Sequence, residues 1–498
     1  MKWPQYPDST LADIEAAMQQ AAAAASVYAV TSLAQRKNLL EQIAQALEEA
    51  ANALIQAAQA ETNLPPARLQ GELARTCHQL RSYGQAAATG HYLHATIDTA
   101  DAGRTPPRPD IRNMHVPLGP VVVFGSSNFP FAYSTAGGDV ASALAAGCPV
   151  GVKAHPYHAH TSTLVAQLIQ EQVALAGLPA GVFKHVYGAS HQVGHTLVMH
   201  PAACAVGFTG SLAGGKALWQ LANSRPRPIP VFAEMGSVNP VFVLPQMLAE
   251  QPDAIATALT ASFTQGVGQF CTKPGIIAGV TSACWQALVQ SMQAAVAPAA
   301  PAPMLHPNIY EAYHTHLRMA LVQPPVELLN DGASRSASPA AAPTLARVQA
   351  NAFLEYPVLH QEVFGPYTLL VECQNMQQLQ QVAYALQGQL TTTLWATEQD
   401  LHNNFPLVQL ALQGAGRVII NGVPTGVEVT TAMQHGGPYP STTDSRFTAV
   451  GANAIERWLR PLAFQNWPPA LLPPALQNAN PLGIMRRVNG QFTKEALA

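Results

Sequence analysis

Two patterns of apolar and polar residues divide the chain. Up to about residue 90, apolar side chains recur at helical spacing, and Thr10 followed three positions later by Asp13 is typical of a capping box at a helix start. From residue 117 onward, short β-branched runs that end in glycine or proline precede alanine-rich helical stretches. We therefore expect a helical first region followed by repeated strand–helix units.

Four such units follow one another, each with a buried-type strand and a turn before its helix. Their strand segments are PLGPVVVFG (117–125), CPVGVKAHP (148–156), GVFKHVYG (181–188) and ACAVGFTGS (203–211). Successive βα units predict a parallel, doubly wound sheet. A second α/β block begins near residue 228 and continues through TTTLWAT and GRVIINGVPTG.

Composition and charge narrow the class of protein. The 498 residues suffice for two or three domains, and a net charge of −3 offers no basic field for nucleic acid. No apolar run of about 18 residues predicts a membrane span, and the first ten residues do not resemble a signal peptide. Six cysteines without CxxC spacing argue against a zinc site and a disulfide framework. We expect a cytoplasmic protein.

Three short segments carry side chains with catalytic potential. Cys271 stands between glycines in QGVGQFCTKPG, Glu234 follows an apolar run in FAEMGSVNP, and Asn128 lies in SSNFP, directly after the first predicted strand. Open α/β sheets bind ligands at the carboxyl ends of their strands, where Asn128 is placed. Taken singly, the cysteine fits a buried apolar site, the glutamate a solvated surface and the asparagine a turn.

Together these segments resemble the aldehyde dehydrogenase superfamily from about residue 10 to 460. The matching pieces occur in family order: SSNFP, VKAHP, GFTGS with Gly215, FAEMGSVNP, GQFCTKPG and EVFGP. The segments around these motifs, with PTGVEVTTAMQHGGPYPSTTDSR, are similar to the branch of 2-oxoglutarate semialdehyde (2,5-dioxopentanoate) dehydrogenases and NADP-dependent fatty aldehyde dehydrogenases. The more strongly indicated substrate is 2,5-dioxopentanoate, and longer aliphatic aldehydes are the alternative.

The resemblance implies an α/β architecture with three parts. A Rossmann-type, parallel-sheet cofactor domain would comprise residues 1–94 and 118–230, and an α/β catalytic domain residues 231–445. A small oligomerisation arm would comprise residues 95–117 and 446–498. The family builds dimers and tetramers through such an arm, so the resemblance implies a homodimer or homotetramer.

The chemistry of aldehyde oxidation assigns roles to the three catalytic-type residues. An aldehyde carbon releases hydride only after a nucleophile has added to it, and Cys271 is the expected nucleophile. The resemblance implies that the Asn128 amide and the Cys271 N–H bind the oxyanion. Glu234 is the expected base that activates water to hydrolyse the thioester.

The VKAHP segment implies contacts with the adenosine half of NAD or NADP. Lys153 is placed to donate to the ribose hydroxyls. Many NAD-preferring relatives carry an acidic residue where this chain has Pro156, and the loss of that carboxylate removes repulsion against a 2′-phosphate. His155 or His191 could assist with such a phosphate, and the preference between the two cofactors stays open.

Two further segments would hold the rest of the dinucleotide. Gly210 and Ser211 open a helix whose N-terminal amides can meet a pyrophosphate, with Gly215 in the same motif. In EVFGP, the resemblance implies that Glu362 binds the nicotinamide ribose hydroxyls and that Phe364 packs beside the ring.

Two other segments of the sequence contain residues that could bind a metal or a substrate. The histidines of HPYHAH (155–160) are too irregularly spaced to predict a metal site, and we expect no metal. The segment AMQHGGPYPSTTDSR ends in Arg446, which could bind a substrate carboxylate or hold two domains together.

Three competing functions remain in view. A protein with this fold could serve only as a scaffold, although the presence of all three catalytic-type residues disfavours this. A cysteine hydrolase would need a partner histidine and would leave the βα glycine segment without a purpose. A coenzyme-A-acylating dehydrogenase normally dispenses with the glutamate base, and Glu234 argues against it.

Overall fold

The first ninety residues form four helices that pack on one another. The structure is a computed structural model that describes residues 6–332, 338–386 and 388–497. The helices are α1 (Leu11–Ala29), α2 (Leu33–Glu49), α3 (Ala51–Thr62) and α4 (Pro66–Thr89). The predicted capping box is confirmed, because the Thr10 side chain accepts from the Asp13 amide and the Asp13 carboxylate accepts from the Thr10 amide.

The predicted βα units are confirmed as parts of one parallel sheet. Its strand order is β5-β4-β3-β6-β7. The strands are β3 (Val121–Phe124), β4 (Val150–Lys153), β5 (Phe183–Val186), β6 (Ala205–Thr209) and β7 (Val231–Glu234), and the helices α5 (Gly138–Ala146), α6 (Ala159–Leu175), α7 (His191–Met199) and α8 (Leu212–Asn223). Strand β7, which the predicted boundary at residue 230 leaves to the catalytic domain, pairs with β6 at the edge of this sheet.

A second, seven-stranded sheet has the order β11-β13-β14-β9-β8-β15-β16. All its neighbours are parallel except β11 and β13. Its strands are β8 (Val241–Val243), β9 (Ile276–Val280), β11 (Glu327–Asn330), β13 (Thr344–Gln349), β14 (Tyr367–Cys373), β15 (Gln389–Trp395) and β16 (Ala415–Ile420). Central strands such as β14 and β15 are buried along their whole length, as expected of strands in the middle of a parallel sheet covered on both faces.

Helices on both sides bury the faces of this second sheet. They are α9 (Pro245–Glu250), α10 (Pro252–Thr264), α11 (Ala283–Val296), α12 (Pro307–Leu321), α13 (Ala350–Glu355), α14 (Met376–Ala385), α15 (Glu398–Asn403) and α16 (Phe405–Gly414). A two-stranded ribbon of β10 (Ala302–Pro303) and β12 (Ala340–Ala341) lies outside it. The two apolar clusters of this region lie on opposite faces of the sheet, since Phe242 and Val241, adjacent in β8, belong to different clusters.

A third sheet joins the two segments that the resemblance assigned to an arm. Its order is β17-β2-β1-β18-β19, formed by β1 (Thr96–Asp98), β2 (Ile111–Pro117), β17 (Leu459–Gln465), β18 (Arg486–Val488) and β19 (Gln491–Thr493). Strands β17 and β2 are antiparallel, from the pair Leu459–Pro117 to the pair Gln465–Ile111. Among the described residues, no helix is long and apolar enough to cross a membrane. The domain limits and the oligomeric state stay predictions.

The first two sheets meet where the catalytic-type residues lie. Asn128 follows β3 and Glu234 ends β7, so both stand at carboxyl ends of the first sheet. Cys271 precedes β9 and Glu362 precedes β14, so both stand at amino ends of the second sheet. A backbone bridge from Glu234 to Thr442 ties the first sheet to the segment that follows β16.

Candidate active site

The Cys271 loop owes its path to an unusual backbone. Gly266, Val267 and Gly268 all have positive φ, at 56°, 58° and 64°. A Cβ on Gly268 would lie 2.2 Å from the carbonyl oxygen of Gly365, so only glycine allows this approach. The loop therefore turns sharply after α10 and presents Cys271 toward the first sheet.

Asn239 fixes this loop through hydrogen bonds from its side chain. Its side-chain amide donates to the carbonyl oxygens of Cys271 at 2.8 Å and Lys273 at 3.0 Å, and its oxygen accepts from Thr391 at 3.0 Å. Asn239 is fully buried and has a φ of 45°, a conformation that asparagine tolerates. Asn239 stands in the sequence segment FAEMGSVNP. The only sign of a structural role there is that asparagine, a residue type that tolerates positive φ, precedes a proline.

Cys271, His435 and Glu234 converge at the centre of the site. The Cys271 Sγ lies 3.7 Å from His435 Nε2, which lies 3.0 Å from Glu234 Oε1. The nearest ligand-type atoms of the three side chains all lie within 4.8 Å of one another. Burial raises the pKa of the Cys271 thiol well above its usual range, and the Glu234 charge raises it further. The resting thiol is therefore protonated at neutral pH, and its activation needs a proton acceptor.

The sequence prediction missed His435. It lies in AMQHGGPYPSTTDSR, which drew attention for Arg446 instead. The backbone of His435 is fixed on both sides, because its amide donates to the Thr448 hydroxyl at 2.9 Å and its carbonyl accepts from Ala449 at 2.7 Å. The 164 positions that separate it from Cys271 explain why no local signal revealed the pair.

The more conspicuous histidines of HPYHAH serve elsewhere. The rings of His155 and His158 stack with centroids 5.2 Å apart, and His158 Nε2 lies 2.8 Å from the carbonyl oxygen of Ser126. Tyr157 stacks on His306 at 3.8 Å. Burial lowers the pKa of His155 and His158, which favours neutral rings packed behind the first sheet.

Asn128 lies next to the cysteine loop. It is 8% exposed, and its side-chain amide donates to the carbonyl oxygen of Gln269 at 3.1 Å. An amide carries two N–H donors, so one remains for an oxygen held above Cys271. The structure thus brings Asn128, Cys271 and Glu234 together from three separate segments.

The residues predicted to contact the adenosine and the pyrophosphate lie at the carboxyl ends of strands in the first sheet. Lys153 ends β4, and burial lowers its pKa. Pro156 is exposed and begins a short 3₁₀ turn. Gly210 and Ser211 are exposed at the start of α8, where the Ser211 hydroxyl accepts from the Gly214 amide at 3.2 Å. The first turn of this helix therefore leaves backbone N–H groups available to a ligand.

Gly215 differs from its neighbours because it is buried. A Cβ there would lie 2.6 Å from the Met235 side chain, so the missing side chain allows α8 to pack closely on the segment after β7. Its contribution to cofactor binding, as a packing residue, stays a prediction.

Glu362 lies in a cradle formed by two backbone segments. A Cβ on Gly236 would lie 2.5 Å from Glu362 Oε2, and the Ser237 amide donates to the carboxylate. Burial raises the pKa of Glu362 to about 7, and the Lys273 charge opposes the rise. Phe364 is half-buried two positions further on. A carboxylate acceptor here and helix amides at α8 suit the nicotinamide ribose and the pyrophosphate of a dinucleotide.

Lys273, which the sequence prediction also missed, is the cation behind this cradle. It is 1% exposed, and its Nζ donates to the carbonyl oxygens of Val363 at 3.0 Å and Tyr367 at 2.8 Å. Burial lowers its pKa to about 8. The lysine therefore ties the cysteine loop to the segment that carries Glu362.

The family of the chain follows from a comparison with known sequences. A sequence profile of the aldehyde dehydrogenase family matches residues 2–461. The chain belongs to the aldehyde dehydrogenase family. Its activity is therefore NAD(P)-dependent aldehyde oxidation, which excludes the scaffold and the cysteine hydrolase, although His435 supplies the histidine that the hydrolase lacked.

Two curated aldehyde dehydrogenases are similar over nearly the whole chain. The α-ketoglutaric semialdehyde dehydrogenase 2 of Azospirillum brasilense is 47% identical over 98% of this chain and 93% of its own length. The α-ketoglutaric semialdehyde dehydrogenase of Acinetobacter baylyi is 43% identical, again over 98% and 93%. The branch predicted from the motifs is confirmed.

Solved aldehyde dehydrogenase structures confirm the predicted fold. An NAD-dependent aldehyde dehydrogenase from Sinorhizobium meliloti superposes with a TM-score of 0.77 at 22% identity, over 93% of this chain and 89% of that one. A 1-pyrroline-5-carboxylate dehydrogenase from Thermus with bound NAD gives 0.78 at 20% identity, over 92% and 86%.

Arg446 lies away from the catalytic centre of this dehydrogenase. Its side chain is 78% exposed and pairs with Asp444 at 2.5 Å, while its guanidinium lies over Phe447. The structure thus offers no support for Arg446 as the ligand of a substrate carboxylate.

Proposed function

We propose that this enzyme oxidises 2,5-dioxopentanoate (2-oxoglutarate semialdehyde) to 2-oxoglutarate with Cys271 as its nucleophile. The observation that carries the chemistry is the contact of one thiol with His435 at 3.7 Å, beside a buried glutamate. The substrate follows the two relatives of 47% and 43% identity, both named for this semialdehyde. Identity over nearly the full chain supports the transfer better than a single motif would.

The first step is addition of the Cys271 sulfur to the aldehyde carbon. The S–C bond forms as the thiol proton leaves, and His435 Nε2, 3.7 Å from the sulfur, is the basic atom that we propose to accept it. Glu234, 3.0 Å from that nitrogen, stabilises the imidazolium that results. The thiol needs this base because its pKa is raised and it ionises little by itself.

The addition places negative charge on the former carbonyl oxygen. The free N–H of the Asn128 amide and the Cys271 backbone N–H are the proposed donors to it. Because Asn128 already anchors to Gln269, its amide is held in place before the substrate arrives. Such preorganised donors stabilise the developing charge without having to reorient.

NAD or NADP, when bound, would supply the acceptor for the hydride of the aldehyde carbon. Lys153, Ser211 and Glu362 are the residues that we propose to hold the cofactor, at the adenosine ribose, the pyrophosphate and the nicotinamide ribose. The exposed Pro156 contributes no carboxylate against a 2′-phosphate, which supports acceptance of NADP.

Hydrolysis of the thioester completes the cycle. Glu234 takes a proton from water, the hydroxide adds to the acyl carbon, and the C–S bond breaks to release the carboxylic acid. The proton on Glu234 passes to the departing sulfur and restores the Cys271 thiol, and the proton that His435 accepted in the first step leaves to solvent. The buried position of Glu234, at 4% exposure, keeps this carboxylate next to the thioester rather than in bulk solvent.

A panel of aldehydes tests the substrate. We expect kcat/KM for 2,5-dioxopentanoate to exceed that for decanal by about 100-fold or more, since an apolar chain leaves polar groups of the site unpaired. Each aldehyde is assayed with NAD and with NADP. A much larger kcat/KM for decanal would overturn the substrate and favour the fatty aldehyde alternative.

A further inference from the structure

Helix α4 sends two arginines toward a cavity beside the catalytic centre. The cavity has a volume of about 740 Å³, and its lining includes Arg68, Arg75, Phe129 and Phe270. Phe270 directly precedes Cys271, and Phe129 directly follows Asn128. The cavity wall therefore includes the sequence neighbours of both the nucleophile and the proposed oxyanion donor.

Arg68 is already engaged by the protein. It donates to the carbonyl oxygen of Asn128 at 2.9 Å and lies 3.7 Å from Glu72. Its guanidinium also covers the rings of Phe129 at 4.8 Å and Phe270 at 5.1 Å. Because its charge is paired with Glu72 and its Nη2 is held by Asn128, Arg68 serves as a wall of the cavity.

Arg75, two turns further along the helix, lacks such partners. Its Nη2 lies 3.5 Å from the Tyr133 hydroxyl, a long contact. Within residues 6–332, 338–386 and 388–497, its buried Nε has no hydrogen-bond partner, and no carboxylate lies within 4.0 Å of the guanidinium. Arg75 is half-buried, and although its charge acts on the buried Glu72 one turn before it, no carboxylate contacts its guanidinium, so an anion that entered the cavity could pair with it.

Tyr133 connects Arg75 to the catalytic residues. Its ring centroid lies 6.3 Å from that of His435, and its ring packs edge-on against Phe129 at 5.3 Å. The Arg75 charge also reaches the nucleophile, since it opposes the rise in the pKa of the Cys271 thiol. Arg75, Tyr133 and His435 thus form a polar strip of successive neighbours that leads from the cavity wall to Cys271.

A third arginine near the site, Arg417 on β16, does not share the properties of Arg75. Both of its terminal nitrogens donate to the carbonyl oxygen of Gly426 at 3.1 Å, and Nη2 also donates to that of Pro424 at 2.7 Å. Arg417 therefore fixes the backbone of the segment that follows β16. Of these three arginines in the described part of the chain, Arg75 alone has neither a backbone carbonyl acceptor nor a carboxylate within 4.0 Å.

We propose that Arg75, assisted by the Tyr133 hydroxyl, binds the carboxylate of an oxo-acid aldehyde. The inference rests on the proposed function and adds the group that selects an acidic substrate. In extended 2,5-dioxopentanoate the aldehyde and carboxylate carbons are four C–C bonds, roughly 5 Å, apart. The molecule reaches from the sulfur along the strip, and its carboxylate replaces the anion that Arg75 lacks.

The test compares a charged and an uncharged aldehyde of five carbons. For Arg75→Met, we expect kcat/KM for 2,5-dioxopentanoate to fall about 10- to 100-fold, mainly through KM, because charge-assisted hydrogen bonds are lost. The value for pentanal should change less than about threefold. Arg75→Lys should recover part of the loss, and Arg81→Met, which removes the same charge from an exposed position of α4, should leave both substrates unchanged.

Product inhibition makes the test independent of the substrate assignment. With pentanal as substrate, 2-oxoglutarate should inhibit the wild type, and Arg75→Met should raise its inhibition constant at least about 10-fold. If the wild type oxidises 2,5-dioxopentanoate poorly but keeps this Arg75-dependent inhibition, the proposed substrate fails and the carboxylate site stands. Equal losses on both aldehydes, or an unchanged kcat/KM for the dioxo acid in Arg75→Met, overturn the site.

Discussion

The two parallel sheets face the active site with opposite ends. The first sheet presents carboxyl ends, from which Asn128, Lys153 and Glu234 project. The second presents amino ends, with Cys271 before β9 and Glu362 before β14. The familiar rule that ligands bind at carboxyl ends of strands therefore describes only half of this site.

The difference separates what each half contributes. On the first sheet, exposed helix amides and short turns leave an open surface suited to a cofactor that must enter and leave. On the second sheet, backbone contacts and buried polar groups such as Asn239 and Lys273 fix the cysteine loop. The first sheet thus offers most of the proposed cofactor surface together with Glu234 and Asn128, whereas the second fixes the nucleophile and Glu362, and three experiments test these contributions.

The largest effect is expected where the first sheet supplies a catalytic group. Glu234→Gln should preserve a burst of about one reduced cofactor per active site, yet slow steady-state turnover by about 10²- to 10⁴-fold, because the thioester lacks its base. Stopped-flow absorbance at 340 nm measures both phases. Cys271→Ala is the control and should lose both phases. Equal loss of burst and turnover in Glu234→Gln would contradict deacylation by this carboxylate.

His435 belongs to neither sheet. Its replacement tests whether the Cys271 thiol needs a proton acceptor from this third segment. We expect His435→Gln to slow the burst by about 100-fold, since no nearby imidazole then accepts the thiol proton. Alkylation of Cys271 by iodoacetamide should slow in parallel. His402→Gln, at an exposed position on α15, is the matched control. An unchanged burst rate would remove His435 from the proton relay.

A smaller effect is expected at the amino ends of the second sheet. The pKa of Glu362 is about 7, so its carboxyl group becomes neutral as pH falls through that value, and KM for the cofactor should rise a few-fold. Lys273 lowers this pKa, so Lys273→Met should move the rise to higher pH. Initial rates at varied cofactor from pH 5.5 to 9 measure the profile.

Glu362→Gln provides the control for this profile, because it has no proton to gain. Its KM should be raised and nearly constant across the range. A Lys273→Met profile that coincides with the wild type, or moves to lower pH, would show that the lysine does not govern the charge of Glu362.

Local patterns predicted much of the fold. The capping box at Thr10 and the four βα strands needed only short-range signals, because caps and alternating βα units are set by neighbouring residues. The catalytic roles of Cys271 and Glu234 came from motifs that resemble a family. Isolated, neither residue could be distinguished from ordinary packing or surface positions.

The residues that sequence reasoning missed depend on contacts across the fold. His435 meets Cys271 over 164 positions, and Asn239 reaches the cysteine loop over 32. Lys273 lies two positions after Cys271 in the sequence, but its burial against Val363 depends on how β9 pairs with β14. Tertiary neighbours decided these roles, and no periodicity in the chain encodes them.

The contact of Gly268 with the Gly365 carbonyl has a consequence for how this enzyme can change. It joins the stretch that bears the sulfur to the stretch that bears Glu362, main chain against main chain. The spacing between the reacting atom and the ribose acceptor is thus insensitive to most side-chain replacements on either stretch. One added methyl group at residue 268 would push the two stretches apart. Side chains around this contact can therefore change during evolution far more freely than Gly268 itself.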